Sequence, residues 1–197
     1  MSQDRDRTQP AQELLRSLMR ELFQTEHSAQ THCRVEAERL GQSPAARALE
    51  AIARHADAVM EELPIRAKHH ALPVSAGGLA VGEMFSQIRR HLADLLMDQE
   101  TSYRATLLGV RHGLDVMKMF QEAAVAAGQD ELAEWCDRIW QARAPLVESC
   151  AQQLSWFAQN PEQAVTQVRP RFVEKGLELL RSFRKKQPKQ QDGTLAA

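Results

Sequence analysis

Residues 8–44 read TQPAQELLRSLMRELFQTEHSAQTHCRVEAERLGQSP, and the spacing of apolar residues in this stretch decides the fold class. Leu15, Leu18, Leu22, Ala29, Cys33, Ala37 and Leu40 recur every three or four positions or at multiples of that spacing. That is one face of a helix with a period of 3.6 residues. Pro10 fits the first turn of a helix starting near Thr8, where its missing N–H costs nothing. Gly41 ends the helix. Ser43 and Pro44 then supply an N-cap and a first helical residue for the next one.

The same periodicity continues along the chain. A second helix carries its stripe on Leu49, Ile52, Ala56, Val59, Met60 and Leu63, and Pro64 predicts its end. From there to Gly78 the reading is loop, punctuated by Pro73, Ser75 and Gly77-Gly78. A connection of that length suits a crossover along a helical bundle. Residues 79–127 contain no proline, and one stripe runs through Val81, Phe85, Ile88, Leu92, Leu95, Gln99, Tyr103, Thr106, Val110, Leu114 and Met117 without losing phase. This predicts a very long third helix of roughly 70 Å at about 1.5 Å per residue, with a split near Asp98 as the alternative.

Gly128 closes that segment, and Asp130 is expected to cap a fourth helix. Its face is Leu132, Cys136, Ile139, Leu146, Val147, Cys150, Leu154 and Phe157, with a kink at Pro145. Asn160-Pro161 opens an extra C-terminal helical stretch, restarted at Pro170 and carrying Phe172, Val173, Leu177, Leu180 and Phe183. The expectation is a single all-α bundle domain over residues 1–186 and a disordered Pro/Gln/Lys-rich tail over residues 187–197.

Composition narrows the function classes. At 197 residues the chain is long enough for one real core. Charged residues make up 26% and nearly cancel to −1, so no global field steers nucleic acid or an acidic substrate. Aromatics are only 5%, too few for a base-stacking surface. Cys33, Cys136 and Cys150 are odd in number and far apart, unlike a disulfide framework or a zinc ribbon. No stretch approaches the roughly 18 apolar residues of a membrane helix, and the first residues are polar. A cytoplasmic protein is expected. Residues 8–40 form one long helix where a helix-turn-helix repressor needs a tight turn between short ones.

Four long helices with a long connection between the second and third resemble the ferritin-like superfamily over residues 10–158. Metal-binding members hold two ions in the bundle core with a Glu from each of two helices and an E-x-x-H pair from each of the others. Here none of His27, His32, His55, His69, His70, His91 and His112 has an acidic residue three positions earlier. The carboxylates left for such a centre are Glu26, in an inward slot on the first helix, and Glu100, at the edge of its stripe. No metal site and no cofactor are therefore expected.

Polar side chains interrupt the apolar stripes instead. Glu26 lies between Leu22 and Ala29, Gln99 and Tyr103 replace aliphatic residues, and Arg143 lies between Ile139 and Leu146. A lone buried charge is strongly unfavourable, so Glu26 and Arg143 should pair or reach solvent. The expectation is a buried polar layer in which Glu26 pairs with Arg143, and Tyr103 and Gln99 add hydrogen bonds. The alternative is an Arg143 that snorkels to the surface.

Other groups weigh less. His32 with Glu36, and His112 with Asp115, share helix faces, but two ligands make no site. Lys68-His69-His70 reads as polar loop with adventitious metal affinity. Met84, Met97, Met117 and Met119 read as gap-filling residues, and the basic run from Arg181 to Lys189 as a solvated helix end. The functional expectation is a non-enzymatic bundle with a binding or assembly role, as a homodimer, without membrane or nucleic-acid partners. The rivals are a degenerate ferritin-like metal or redox bundle and a small-molecule sensor with an apolar cavity beside Tyr103.

Overall fold

The structure, a computed structural model, describes residues 2–72 and 97–168 and, in the first helix, side chains from Pro10 onward. Those residues are all-α: α1 (Ser2–Leu40), α2 (Pro44–His69), α3 (Gln99–Ala126), α4 (Asp130–Gln152), α5 (Leu154–Gln159) and α6 (Pro161–Ala164). Among them the only β pairing is a single bridge between Asp98 and Gln167. No helix of the described residues is long and apolar enough to cross a membrane. The expected helix over residues 79–96, the stretch from Pro170 and the C-terminal tail lie outside the described residues.

Local chemistry sets each boundary. Helix α1 runs back past Pro10 to Ser2, so Pro10 lies inside the helix and not in its first turn. Gly41, at φ 62, ends α1 in the left-handed conformation that glycine adopts freely. The Ser43 hydroxyl then accepts the Ala46 N–H at 3.0 Å, capping α2. Pro64 does not end α2 as its sequence predicts. Its ring lies on the exposed side, and the helix continues to bury Ala67. The chain stops at His69 instead, where the Leu72 N–H reaches back to the Ala67 carbonyl at 2.8 Å across Ala71, held at φ 52.

The uninterrupted third helix is corrected too. Helix α3 begins at Gln99, and Asp98 is an extended N-cap (φ −80, ψ 167) whose carboxylate accepts the Thr101 N–H at 2.8 Å. Strand-like bonds replace helical ones at this point. Gln99 N–H donates to the Thr166 carbonyl at 2.9 Å, and Val168 N–H to the Met97 carbonyl at 3.0 Å. At the other end Gly128, at φ 70, lets Gln129 N–H reach the Ala124 carbonyl. Gln129, not Asp130, then occupies the N-cap of α4. Pro145 sits within α4 on an exposed position, and the helix gives way at Gln153, so Leu154 and Phe157 belong to the separate α5.

The helices run up, down, down and up. Thr25 faces Gly113 and Glu36 faces Ser102, so α1 and α3 are antiparallel. Met117 meets Cys136 and Tyr103 meets Cys150, which sets α3 against α4 in the same way. Helix α2 packs antiparallel to α1 and, more thinly, to α4. Helices α1 and α4 therefore stand on a diagonal.

The core divides in two. One half gathers Leu15, Leu22, Leu63, Phe120, Trp135 and Cys136; the other gathers Cys33, Leu49, Ile52, Tyr103, Val147 and Phe157. Between them each helix contributes something other than a large apolar side chain: Glu26 on α1, His55 on α2, Gly113 on α3 and Arg143 on α4. Gly113 is a place to test the packing. A Cβ there would meet Thr25 Cβ at 3.5 Å, an ordinary contact. Gly113→Ala is expected to stabilise the protein by up to about 1 kcal/mol through helix propensity, whereas Gly113→Leu should cost about 1–3 kcal/mol by overpacking. Urea midpoints of the two variants check both signs.

Candidate functional site

The two halves of the core meet at Arg143. Its guanidinium Nη2 donates to Glu26 Oε2 at 2.6 Å, and its Nε donates to His55 Nδ1 at 2.9 Å. The side chains of Glu26 and Arg143 are 0% and 1% exposed, so the pair is sealed from solvent across the bundle diagonal. Arg143 does not snorkel outward. One arginine thus ties α4 to both α1 and α2, at the level where neither half of the hydrophobic core reaches.

The protonation states follow from this geometry. His55 accepts a hydrogen bond at Nδ1, which requires a neutral ring with its proton on Nε2. Partial burial, and then the adjacent Arg143 charge, push the His55 pKa down from 6.5 to about 4. Burial pushes the Glu26 carboxyl up, while the charge and hydrogen bond of Arg143 pull it back. Glu26 Oε1 is buried without a hydrogen-bond partner among the described residues.

An acid titration reads these effects with a definite sign. A histidine kept neutral by the fold contributes stability present above its ordinary pKa of 6.5, which is lost as pH falls towards about 4. Glu26, with its pKa raised, has the opposite slope. The His55 part is isolated by comparing wild type with His55→Asn, which keeps an oxygen acceptor for Arg143. The stability gap between them is expected to shift against wild type by about 1–2 kcal/mol between pH 7 and pH 4, less than the full shift because part of the ring meets solvent. Urea denaturation at each pH measures it.

Gln99 and Tyr103 do not join the pair as expected. Gln99 is the first residue of α3, bonded through its backbone to Thr166, and its Oε1 is buried without a partner among the described residues. The Tyr103 hydroxyl donates to the Cys150 carbonyl at 2.8 Å, at the end of α4 where the helix gives way. Glu100 is paired with Arg104 at 2.5 Å in the first turn of α3. That turn lies beside Glu36, roughly 15 Å along the bundle from Glu26 at about 1.5 Å per residue, so the two carboxylates cannot share an ion.

Two polar residues of the interior escaped the sequence reading. His55 lies three residues after Ile52 and four before Val59, within the buried stripe. Glu36 similarly lies between Cys33 and Leu40; it is 2% exposed, accepts from the Ser102 hydroxyl at 2.8 Å and pairs with Arg39 at 3.3 Å. In both cases the spacing was a usable signal.

The cysteines offer no nucleophile. All three are free and buried. Burial raises the Cys33 thiol further than the others, Cys136 to about 12 and Cys150 to about 11. The Cys136 thiol donates to the Met117 carbonyl at 3.0 Å. Such groups stay protonated at physiological pH and are inert. His112 pairs with Glu21 of α1 at 3.2 Å on an exposed face. No family model matches the chain, and comparison with curated proteins and with solved structures likewise produced no match.

Proposed function

We propose that this chain is a non-enzymatic, ferritin-like bundle that works in the cytoplasm by binding or assembly through its helix faces, as a homodimer. The observation that carries the reading is Arg143, held between Glu26 and His55 at the bundle centre. In a ferritin-like arrangement that level is where cations bind carboxylates and imidazoles. Here a fixed guanidinium supplies the positive charge, and its attachment to the chain makes the centre part of the scaffold. The up-down-down-up order of α1 to α4 supports the ferritin-like comparison.

With the interior committed to its own ion pair and its thiols protonated, interaction falls to the outer surfaces. Leu108 and Met119 lie on one line of α3 and are 63% and 54% exposed. They supply apolar area for a second copy. Three unpaired cysteines suit a reducing compartment.

The test uses wild type and Glu26→Gln purified without a histidine tag and incubated with iron(II) or manganese(II). The expected result is no retained metal that depends on Glu26. Stoichiometric iron or manganese lost in Glu26→Gln would replace this reading with a metal or redox bundle. Sedimentation at increasing concentration, with Leu108→Glu and Met119→Glu, tests the assembly: a monomer at all concentrations would overturn it.

A further inference from the structure

We propose that His69, His70 and Glu131 form a site for a divalent transition metal of the zinc class, clamping the end of α2 to the start of α4. One ligand atom from each of the three lies within 4.8 Å of the others. Two imidazoles and a carboxylate, with a fourth position open to water, are a donor set that suits zinc. Calcium and magnesium prefer all-oxygen surroundings.

The local backbone explains how neighbouring histidines come to share one ion. Successive residues on a helix point about 100° apart. His69 is the last helical residue of α2, but His70 has already left the helix at φ −95, ψ 13. That change brings the two rings edge to face with centroids 4.9 Å apart. The conformation is locked from the next two residues: Ala71 takes φ 52, and buried Leu72 donates back to the Ala67 carbonyl. Across the gap, Glu131 in the first turn of α4 places Oε2 3.8 Å from His69 Nδ1.

His70 carries the second, independent observation. Its Nδ1 donates to Gln129 Oε1 at 2.7 Å, which leaves the lone pair on Nε2. That Nε2 is buried and has no hydrogen-bond partner among the described residues. A buried lone pair without a donor is costly, and a bound cation would satisfy it. Helix dipoles account for a histidine at the end of α2 and a glutamate at the start of α4, but not for this orphaned nitrogen. Gln129 has the part that outer-shell partners play in metal sites, fixing the tautomer and orientation of the ligating ring. The same use of its side chain fits the lack of a side-chain cap at the N-terminus of α4. A metal would draw its donors to about 2.0–2.2 Å, and two of the three, His69 and Glu131, are exposed side chains.

The site is independent of the central Glu26–Arg143 pair, and the two are tested separately. Full-length, tag-free protein is titrated with zinc(II) by calorimetry and by competition with a chromophoric chelator, beside His70→Ala, Glu131→Gln and Glu26→Gln. Glu131 is exposed, so Glu131→Gln leaves the fold intact even if His70→Ala does not. The expected result is one zinc per chain, weakened 10- to 100-fold in His70→Ala and in Glu131→Gln and unchanged in Glu26→Gln. Zinc should also raise the Tm of wild type and not that of the two site variants. Equal affinity in wild type and Glu131→Gln, or no binding at millimolar zinc, would overturn the site.

Discussion

Arg143→Met is expected to lower the stability of the folded chain by about 3–5 kcal/mol, the usual cost of breaking a buried ion pair from one side. The cause is what the substitution leaves behind. Glu26 keeps one carboxylate oxygen without a partner among the described residues and loses the guanidinium at the other. His55 loses the donor to its Nδ1. The carboxyl must then take up a proton or draw water into a space between two apolar clusters. Pairing the change with Glu26→Leu removes the stranded group. Hydrophobic replacement of a whole buried pair is often neutral or stabilising, so the double variant should recover most of the loss. Urea denaturation of the wild type, both single variants and the double variant forms a cycle in which the non-additive part measures the pair. A single-variant loss near zero, or a double variant that simply adds the two losses, would mean that the pair contributes little.

The ease with which Glu26 and Arg143 stand out in the sequence has a physical basis. Each is a charge in a slot that helical periodicity assigns to the interior, and burial of one charge demands the other. His55 and Glu36 occupy comparable slots, yet histidine is common on half-buried positions, and Glu36 has His32 on its own face as a ready local explanation. The turn at Gly41-Gln42-Ser43-Pro44 was legible because a left-handed glycine and a hydroxyl cap are local chemistry. The boundary at Asp98 was legible only as the alternative to one continuous helix. An N-cap residue occupies a single position, and the apolar phase on either side is set by packing that need not reset across it. Pro64 misleads in the opposite sense: its ring faces solvent while Ala67, one turn on, finds a buried place against the bundle. Tyr103 is buried, but its partner depends on where α4 gives way, which no spacing within residues 130–158 discloses.

Tyr103 yields the second large effect. Its side chain is fully buried, its ring lies 5.1 Å from that of Phe157, and its hydroxyl donates to the Cys150 carbonyl. Tyr103→Ala is expected to cost about 3–5 kcal/mol, since removing a buried aromatic side chain leaves a cavity that rigid neighbours only partly fill. The aromatic contact adds about 0.5–1.5 kcal/mol of that. Tyr103→Phe keeps the ring and removes only the hydroxyl. The Cys150 carbonyl still receives the Gln153 N–H at 3.1 Å, so the loss should be near 1 kcal/mol. The two variants also differ in where the damage appears. Phe157 anchors α5 to the bundle through Tyr103, so Tyr103→Ala should accelerate amide exchange across residues 154–159 ahead of global unfolding. Tyr103→Phe should leave that segment protected. Equal losses in the two variants would locate the contribution of Tyr103 in its hydrogen bond, and α5 would then owe its docking to something other than the ring pair.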